Sequence, residues 1–136
     1  MRLFGAKIGK NVVIRPSVKI TYPWKLTLGD YAWVGDDAVL YTLGEITIGA
    51  NSVVSQKCYL CTGSHDFMSQ HFDITASPIV IGEKCWLATD VFVAPGVSVG
   101  DGTVVGARSS VFKSLPANKI CRGNPAVVIR ERVETD

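Results

Sequence analysis

From Ile8 onward an aliphatic side chain recurs at every sixth position. Ile8, Ile14 and Ile20 are followed, after a two-residue slip each time, by Leu28, Val34 and Leu40 and by Ile48, Val54 and Leu60; after a longer gap come Ile81, Leu87, Val93, Val99, Val105 and Val111. All fifteen are Ile, Leu or Val, types that supply 36 of the 136 residues, so composition alone does not produce the column. Four places beyond each stands a second position, small in thirteen of fifteen cases (Ala32, Ser52, Cys85), with Trp24 and Leu115 the exceptions. Glycine follows the aliphatic residue seven times, at Gly9, Gly29, Gly35, Gly49, Gly82, Gly100 and Gly106, as expected where a corner leaves no room for a side chain.

A helix would space its apolar residues by three and four, and an amphipathic strand by two. A strict six with one large and one small inward position describes a short strand plus a turn, three of which close a triangular coil of eighteen residues. The predicted fold class is all-β, a parallel β-helix of about five coils at 8–25, 28–45, 48–65, 81–98 and 99–116. Two-residue insertions are expected at 26–27 and 46–47, a protruding loop at 66–80 and a short C-terminal cap over 117–136, all within one domain spanning 1–136. At roughly 4.8 Å per coil the prism would stand about 24 Å tall. Thirteen glycines and six prolines spread along the chain disfavour long helices.

Composition narrows the partners. With 47% hydrophobic and 19% charged residues the chain can build a core without staples. Fourteen Lys and Arg against twelve Asp and Glu leave +2, too little basic excess to favour nucleic acid. No apolar run approaches the roughly 18 to 20 residues of a membrane span, and the start Met1-Arg2-Leu3-Phe4-Gly5 is too short for a signal peptide, which places the chain in the cytoplasm. Cys58 and Cys61 form one CxxC without a second, so these two, Cys85 and Cys121 are expected as buried free thiols and no metal is expected.

Dry ladders leave no interior pocket, so chemistry is expected where the repeat breaks. Both histidines, His65 and His71, stand at the start of the 66–80 interruption. An imidazole with a pKa of about 6.5 suits removal of a proton from an attacking hydroxyl, so His65 reads either as a base or as a turn residue, and His71 as a solvated loop residue. Asp66 follows His65 directly. Asp36 and Asp37 would stack one coil below the His65 region if the coils align, and read either as acceptor ligands or simply as a turn after Gly35. Tyr22, Trp24, Trp33 and Tyr41 read either as an aromatic platform for a ligand ring or as cover for the apolar end of the prism. No residue stands out as a nucleophile for a covalent intermediate, so a group transfer at this site would proceed by direct attack.

The run of imperfect hexads, together with Cys61-Thr62-Gly63-Ser64-His65-Asp66, Trp86-Leu87-Ala88-Thr89, Pro95-Gly96-Val97 and Arg122-Gly123-Asn124-Pro125-Ala126, resembles the hexapeptide-repeat acyltransferases over nearly the whole chain. Within them it is most similar to the sugar O-acetyltransferases, above all the colanic-acid type that modifies exopolysaccharide precursors. The resemblance implies a left-handed coil, an exception to the usual right-handed crossover. It also implies acetyl-CoA as donor, a hydroxyl of a sugar or polysaccharide precursor as acceptor, and a homotrimer. His65 takes the place of the general base, with Asp36, Asp37 and Asp66 on the substrate side, and Trp86, Thr89, Gly106, Ala107, Lys113 and Arg130 fall where the cofactor is held. Departures are Phe112 and Val127, where relatives commonly have Thr and Lys, Arg108 in place of a small residue, and an N-terminus that starts almost on the first coil where relatives carry a longer leader, as in a truncated or a minimal form. Two other classes share the repeat. One is a non-enzymatic scaffold or assembly subunit; the other, a γ-type carbonic anhydrase, needs three zinc ligands where this chain has only two histidines.

Overall fold

The computed structural model describes residues 4–133. Short strands wind into three parallel sheets that form the sides of a prism, a left-handed parallel β-helix. Sheet A stacks Lys7–Ile8, Leu26–Leu28, Ile46–Ile48, Ile79–Ile81 and Ser98–Val99. Sheet B stacks Val13–Ile14, Trp33–Val34, Val53–Val54, Trp86–Leu87, Val104–Val105 and Lys119–Gly123, and sheet C stacks Lys19–Ile20, Val39–Tyr41, Tyr59–Cys61, Phe92–Val93 and Ser110–Val111. The registers set each sixth residue on its counterpart one coil away: Leu28 on Ile48 on Ile81, Val34 on Val54 on Leu87, Leu40 on Leu60 on Val93.

These stacked aliphatic side chains are the core, fully buried from the second coil upward and half-buried at Ile8, Ile14 and Ile20 on the first. Each fully buried Val, Leu or Ile contributes about 1.5–3 kcal/mol relative to leaving it exposed. The small positions line the corners, where side-chain hydroxyls bind the backbone of a neighbouring coil. Ser52 Oγ donates to the Gly82 carbonyl (2.6 Å) and accepts from the Cys85 N–H (3.0 Å), and Thr103 Oγ1 donates to the Pro116 carbonyl. No buried side-chain polar atom is left without a partner among the described residues, as a tightly packed corner requires.

The structure departs from the expected boundaries in four places, all at the corner between sheets C and A, the hairpin described below being one. From one ladder position to the next, the A-to-B and B-to-C corners always take six residues, whereas the C-to-A corner takes eight, eight, twenty-one, six and four. The residues expected as insertions at 26–27 and 46–47 lengthen sheet A instead: Leu26 and Ile46 are buried and in register with Ile79. At the other end the corner loses two residues, so the ladder steps from Val111 to Leu115, which bridges Val99, and then to Cys121 over Val105. Five complete coils are therefore followed by part of a sixth, and the segment expected as a cap from 117 onward supplies its sheet B strand. The last strand, Ala126–Glu131, folds back antiparallel on Lys119–Gly123. Arg132 fastens this end by donating to the carbonyls of Lys84 (3.0 Å) and Gly102 (2.9 Å).

Candidate active site

The longest C-to-A corner is an antiparallel hairpin. Strands Gly63–His65 and Ile74–Ala76 pair with Ser64 opposite Thr75 and His65 opposite Ile74, so the interruption begins at Gly63, and Ile79 already belongs to the fourth coil. Thr62 anchors the hairpin. It is fully buried, its Oγ1 donates to the Tyr41 carbonyl (2.6 Å) and accepts from the Gly44 N–H (2.8 Å), and its own carbonyl accepts from the Ser77 N–H (2.9 Å).

His65 Nδ1 lies 2.8 Å from the Phe72 carbonyl oxygen. A carbonyl can only accept, so in the neutral ring Nδ1 carries the proton and Nε2 keeps the lone pair. Phe72 sits in the left-handed region (φ 50°), a conformation that a bulky residue rarely adopts. His65 lines a cleft of about 80 Å³ with Tyr41, Leu43, Gly63, Ser64 and Ile74. Ligand pockets commonly span roughly 300–1,000 Å³, so the cleft of one chain encloses only part of a substrate. Lys25 reaches its rim, donating from Nζ to the Leu43 carbonyl (2.6 Å).

The remaining predicted site residues fall into separate groups. Asp66 stays beside His65, but its Oδ1 accepts from the Met68 N–H (2.9 Å) and so shapes the hairpin tip. Asp36 and Asp37 do not stack beneath His65: they occupy the B-to-C corner of the second coil, whereas His65 leaves from the C-to-A corner. The coils do align, but the two turns belong to different edges of the prism. Asp36 accepts from Arg15 Nε (3.1 Å) in an exposed ion pair, and Asp37 takes the left-handed turn position (φ 60°) with its N–H on Ser17 Oγ.

Trp86, Thr89, Gly106 and Ala107 gather along the same B-to-C edge, on the fourth and fifth coils. The Trp86 ring is half exposed and Nε1 donates to Ser55 Oγ (2.9 Å), Thr89 Oγ1 donates to the Gln56 carbonyl (3.1 Å), and the Thr89 carbonyl accepts from the Arg108 N–H (2.9 Å). A Cβ at Gly106 would stand 3.1 Å from Arg122 Cβ, a tight contact between the fifth and sixth coils. Lys113 is elsewhere, at the C-to-A corner above the hairpin, and Arg130 projects from the final strand opposite Ile120. Of the four aromatic residues weighed as a platform, only Tyr41 lines the cleft; Tyr22 and Trp24 pair with each other (5.0 Å between centroids) and Trp33 faces outward on sheet B. Leu43, Ser64, Ile74 and the Phe72 carbonyl were not legible as site groups from the repeat, although all four belong to the one corner whose length varies.

Cys58, Cys85 and Cys121 are buried and Cys61 is half-buried, all as free thiols. Burial pushes the Cys58 thiol up to about 11 and raises Cys85 and Cys121 in the same direction. Among the described residues, no group of three or more His, Cys, Asp or Glu side chains is placed to hold a metal ion, and no helix is long and apolar enough to cross a membrane.

Comparison with known proteins fits this geometry. Residues 78–113 match the family model described as bacterial transferase hexapeptide (six repeats). The chain is 88% identical over all 136 residues to a protein of Escherichia coli K12 named as colanic acid biosynthesis acetyltransferase WcaF, spanning 75% of that protein. It superposes with a TM-score of 0.92 on a maltose O-acetyltransferase from Clostridium difficile 630, at 27% identity, covering 98% of this chain and 73% of that one. A hexapeptide-repeat acetyltransferase from Vibrio cholerae, solved with acetyl coenzyme A, superposes with a TM-score of 0.91 at 26% identity, covering 98% of this chain and 74% of its own. The repeat, the single histidine-bearing hairpin and an 88% identical relative lead to one conclusion: the chain belongs to the hexapeptide-repeat acetyltransferases.

Proposed function

We propose that the chain transfers an acetyl group from acetyl-CoA to a hydroxyl of a sugar or polysaccharide precursor, with His65 as general base. The hydrogen bond from His65 Nδ1–H to the Phe72 carbonyl carries this reading, because it leaves Nε2 as the nitrogen able to take a proton. The acceptor oxygen then attacks the thioester carbonyl directly, its proton passes to Nε2, and coenzyme A leaves as the thiol after taking that proton back. Solved relatives support the partners: one is named as a maltose O-acetyltransferase and another holds acetyl-CoA. Trp86, Thr89, Gly106 and Ala107 offer the donor a continuous strip on two coils, with Lys113 and Arg130 as cations for its phosphates.

His65 and the strip lie on different edges of one prism, so a complete site needs the hairpin of one copy beside the B-to-C edge of the next. A cyclic homotrimer supplies that arrangement. The outward side chains favour it. Sheet B presents Val13, Trp33, Val53, Trp86, Val104 and Ile120, and sheet C carries the aromatic row Tyr41, Tyr59, Phe92 and Phe112 with Lys19 and Ser110 at its ends, while sheet A presents Lys7, Thr27, Thr47 and Ser98 around Val80. Two apolar faces and one polar face suit a ring that buries two sides and wets the third.

The test is thiol release from acetyl-CoA with a panel of methyl glycosides and maltose, beside titration of acetyl-CoA binding. His65→Ala should lower kcat by about 10²–10⁴ and leave acetyl-CoA affinity within about twofold. A fall in turnover of less than about tenfold would remove His65 from the role of base. Failure of the wild-type trimer to bind acetyl-CoA would favour the scaffold reading.

A further inference from the structure

We propose that Ser69 is the positioning residue that fixes the tautomer of His65, acting through one peptide group of the hairpin; this rests on His65 being the base. The peptide unit joining Phe72 to Asp73 is held at both ends. Its carbonyl oxygen, on Phe72, accepts from His65 Nδ1 (2.8 Å). Its N–H, on Asp73, donates to Ser69 Oγ (2.7 Å). The Ser69 hydroxyl in turn donates to the Asp66 carbonyl (2.8 Å), so each group in the chain from Asp66 through Ser69 and the 72–73 peptide to His65 has its hydrogen bonds in one consistent direction.

Other bonds surround the same unit. The Asp66 N–H donates to the Asp73 carbonyl (2.8 Å), and the Ser69 N–H donates to the Asp66 carbonyl (3.1 Å). The Phe72 N–H donates to the Ser69 carbonyl (3.3 Å). From Ser64 to Ala76 every residue is exposed except Ser69, which is partly buried. A serine drawn inward at the tip of an otherwise solvated hairpin is explained by its hydroxyl, which is donor and acceptor at once. Phe72 needs that hold: its φ of 50° is a conformation from which an unrestrained bulky residue relaxes, and relaxation would turn the carbonyl away from His65. Hydrogen bonds in series polarise one another, so an amide whose N–H is engaged is a better acceptor at its carbonyl and secures the Nδ1–H form of the ring more firmly.

Removing the hydroxyl while leaving the hairpin backbone in place should free the 72–73 peptide to rotate. The ring would then populate the Nε2–H tautomer, in which the nitrogen that must take the proton already holds one. Asp66, by contrast, takes part through its backbone carbonyl, so Asp66→Asn should preserve the chain. Thr keeps the hydroxyl and Ala removes it, which separates the hydrogen bond from the space the side chain fills.

The experiment uses the full chain labelled with ¹⁵N-histidine, with His71→Gln to assign the two ring systems, and long-range ¹H–¹⁵N spectra to read the neutral tautomer. Wild type should show His65 chiefly as Nδ1–H. Ser69→Ala should shift it toward Nε2–H and lower kcat by about tenfold, with acetyl-CoA affinity unchanged and the melting temperature close to wild type, and Ser69→Thr should restore both. An unchanged tautomer in Ser69→Ala would overturn the inference, even if the rate falls, because the loss would then be structural. The tautomer spectrum needs no acceptor and no turnover. If His65→Ala proves as active as wild type the base assignment fails, while the spectra still decide whether Ser69 governs the ring.

Discussion

Replacing Gly49 by Ala tests whether stacked corners, rather than turn conformation, explain the glycines of this chain. Gly49 follows the ladder residue Ile48 at the A-to-B corner of the third coil, and Gly82 follows Ile81 directly above it. A Cβ on Gly49 would stand 2.6 Å from the carbonyl carbon and oxygen of Gly82 and 2.7 Å from the Glu83 nitrogen. Ordinary carbon contacts lie near 3.5–4.0 Å, so the fourth coil would have to retreat by about 1 Å. All the obstructing atoms are backbone, and the coils are held together there by the Gly49 N–H on the Ile81 carbonyl (2.8 Å). Overpacking of this kind costs about 1–3 kcal/mol, and a backbone obstacle places Gly49→Ala near 3 kcal/mol. For a domain of this length that corresponds to a fall of about 10 °C in Tm. Gly96 is the control: it has a left-handed φ of 79°, but its Cβ would meet only Ser77 Cβ at 3.5 Å. Gly96→Ala should therefore cost about 1 kcal/mol of backbone strain and no more. Urea and thermal unfolding followed by circular dichroism at one protein concentration give both values, the concentration being held because assembly shifts apparent stability. If Gly49→Ala costs no more than Gly96→Ala, close approach of the coils is not what excludes side chains from the corner.

Three further predictions concern the cleft and the buried thiols. A Cβ at Gly63 would lie 2.6 Å from Leu43 Cδ1 and 2.8 Å from Tyr41 Cε2, both side chains of the cleft, so Gly63→Ala should displace them. Transfer should fall by about tenfold or more while acetyl-CoA affinity holds, and an unaltered kcat/KM for the acceptor would separate this cleft from the acceptor site. Under native conditions a thiol reagent should label Cys61 first and reach Cys58, Cys85 and Cys121 only on unfolding. Because the folded Cys58 pKa of about 11 lies above its ordinary 9.0, the folded state binds more protons in that window, and stability should decline as pH rises from 9 through 11. The decline attributable to Cys58 is about 3 kcal/mol, and urea midpoints for Cys58→Ala should lose that much of the slope.

The ladder could be read in the sequence because two of its three corners never change length. Ile14, Val34, Val54, Leu87 and Val105 each stand six residues beyond a sheet A position, and at both fixed corners the backbone of one coil is bonded to that of the next, as Asn51 N–H is to the Asp30 carbonyl and Lys57 N–H to the Asp36 carbonyl, a stacking that tolerates neither insertion nor deletion. The sixth coil was obscured for the same reason. A column extended in sixes from Val111 lands on Ala117, whereas the shortened corner moves the ladder to Leu115 and then to Cys121, a residue read only as a thiol. Leu115 is a misfit among the small positions because it is the next large one.

The site was legible only in part. His65 was marked by its place at the break in the repeat, but a period along the chain does not show which edge of a prism a turn occupies, so Asp36 and Asp37 were expected beneath it. Asp36 stands two residues beyond the sheet B ladder position Val34, whereas His65 stands five beyond the sheet C position Leu60, which puts them on neighbouring edges of the prism. The Phe72 carbonyl was beyond reach of residue-type reasoning, because every residue carries a carbonyl and only the hairpin register selects this one.

Where the length of the corner is free to vary, the chain can change chemistry without disturbing the core. The hairpin joins the prism through Thr62, and the bonds that orient His65 come from within it, from Phe72, Ser69 and Asp66. Stability and turnover should accordingly respond to different substitutions. Gly49→Ala acts on coil stacking far from His65 and should lower Tm with little change in kcat below the transition, whereas Ser69→Ala should do the reverse. A Gly49→Ala protein that is folded at the assay temperature yet loses turnover as fully as Ser69→Ala would mean that His65 is oriented by the packing of the coils, and the hairpin could no longer be treated as holding its own histidine.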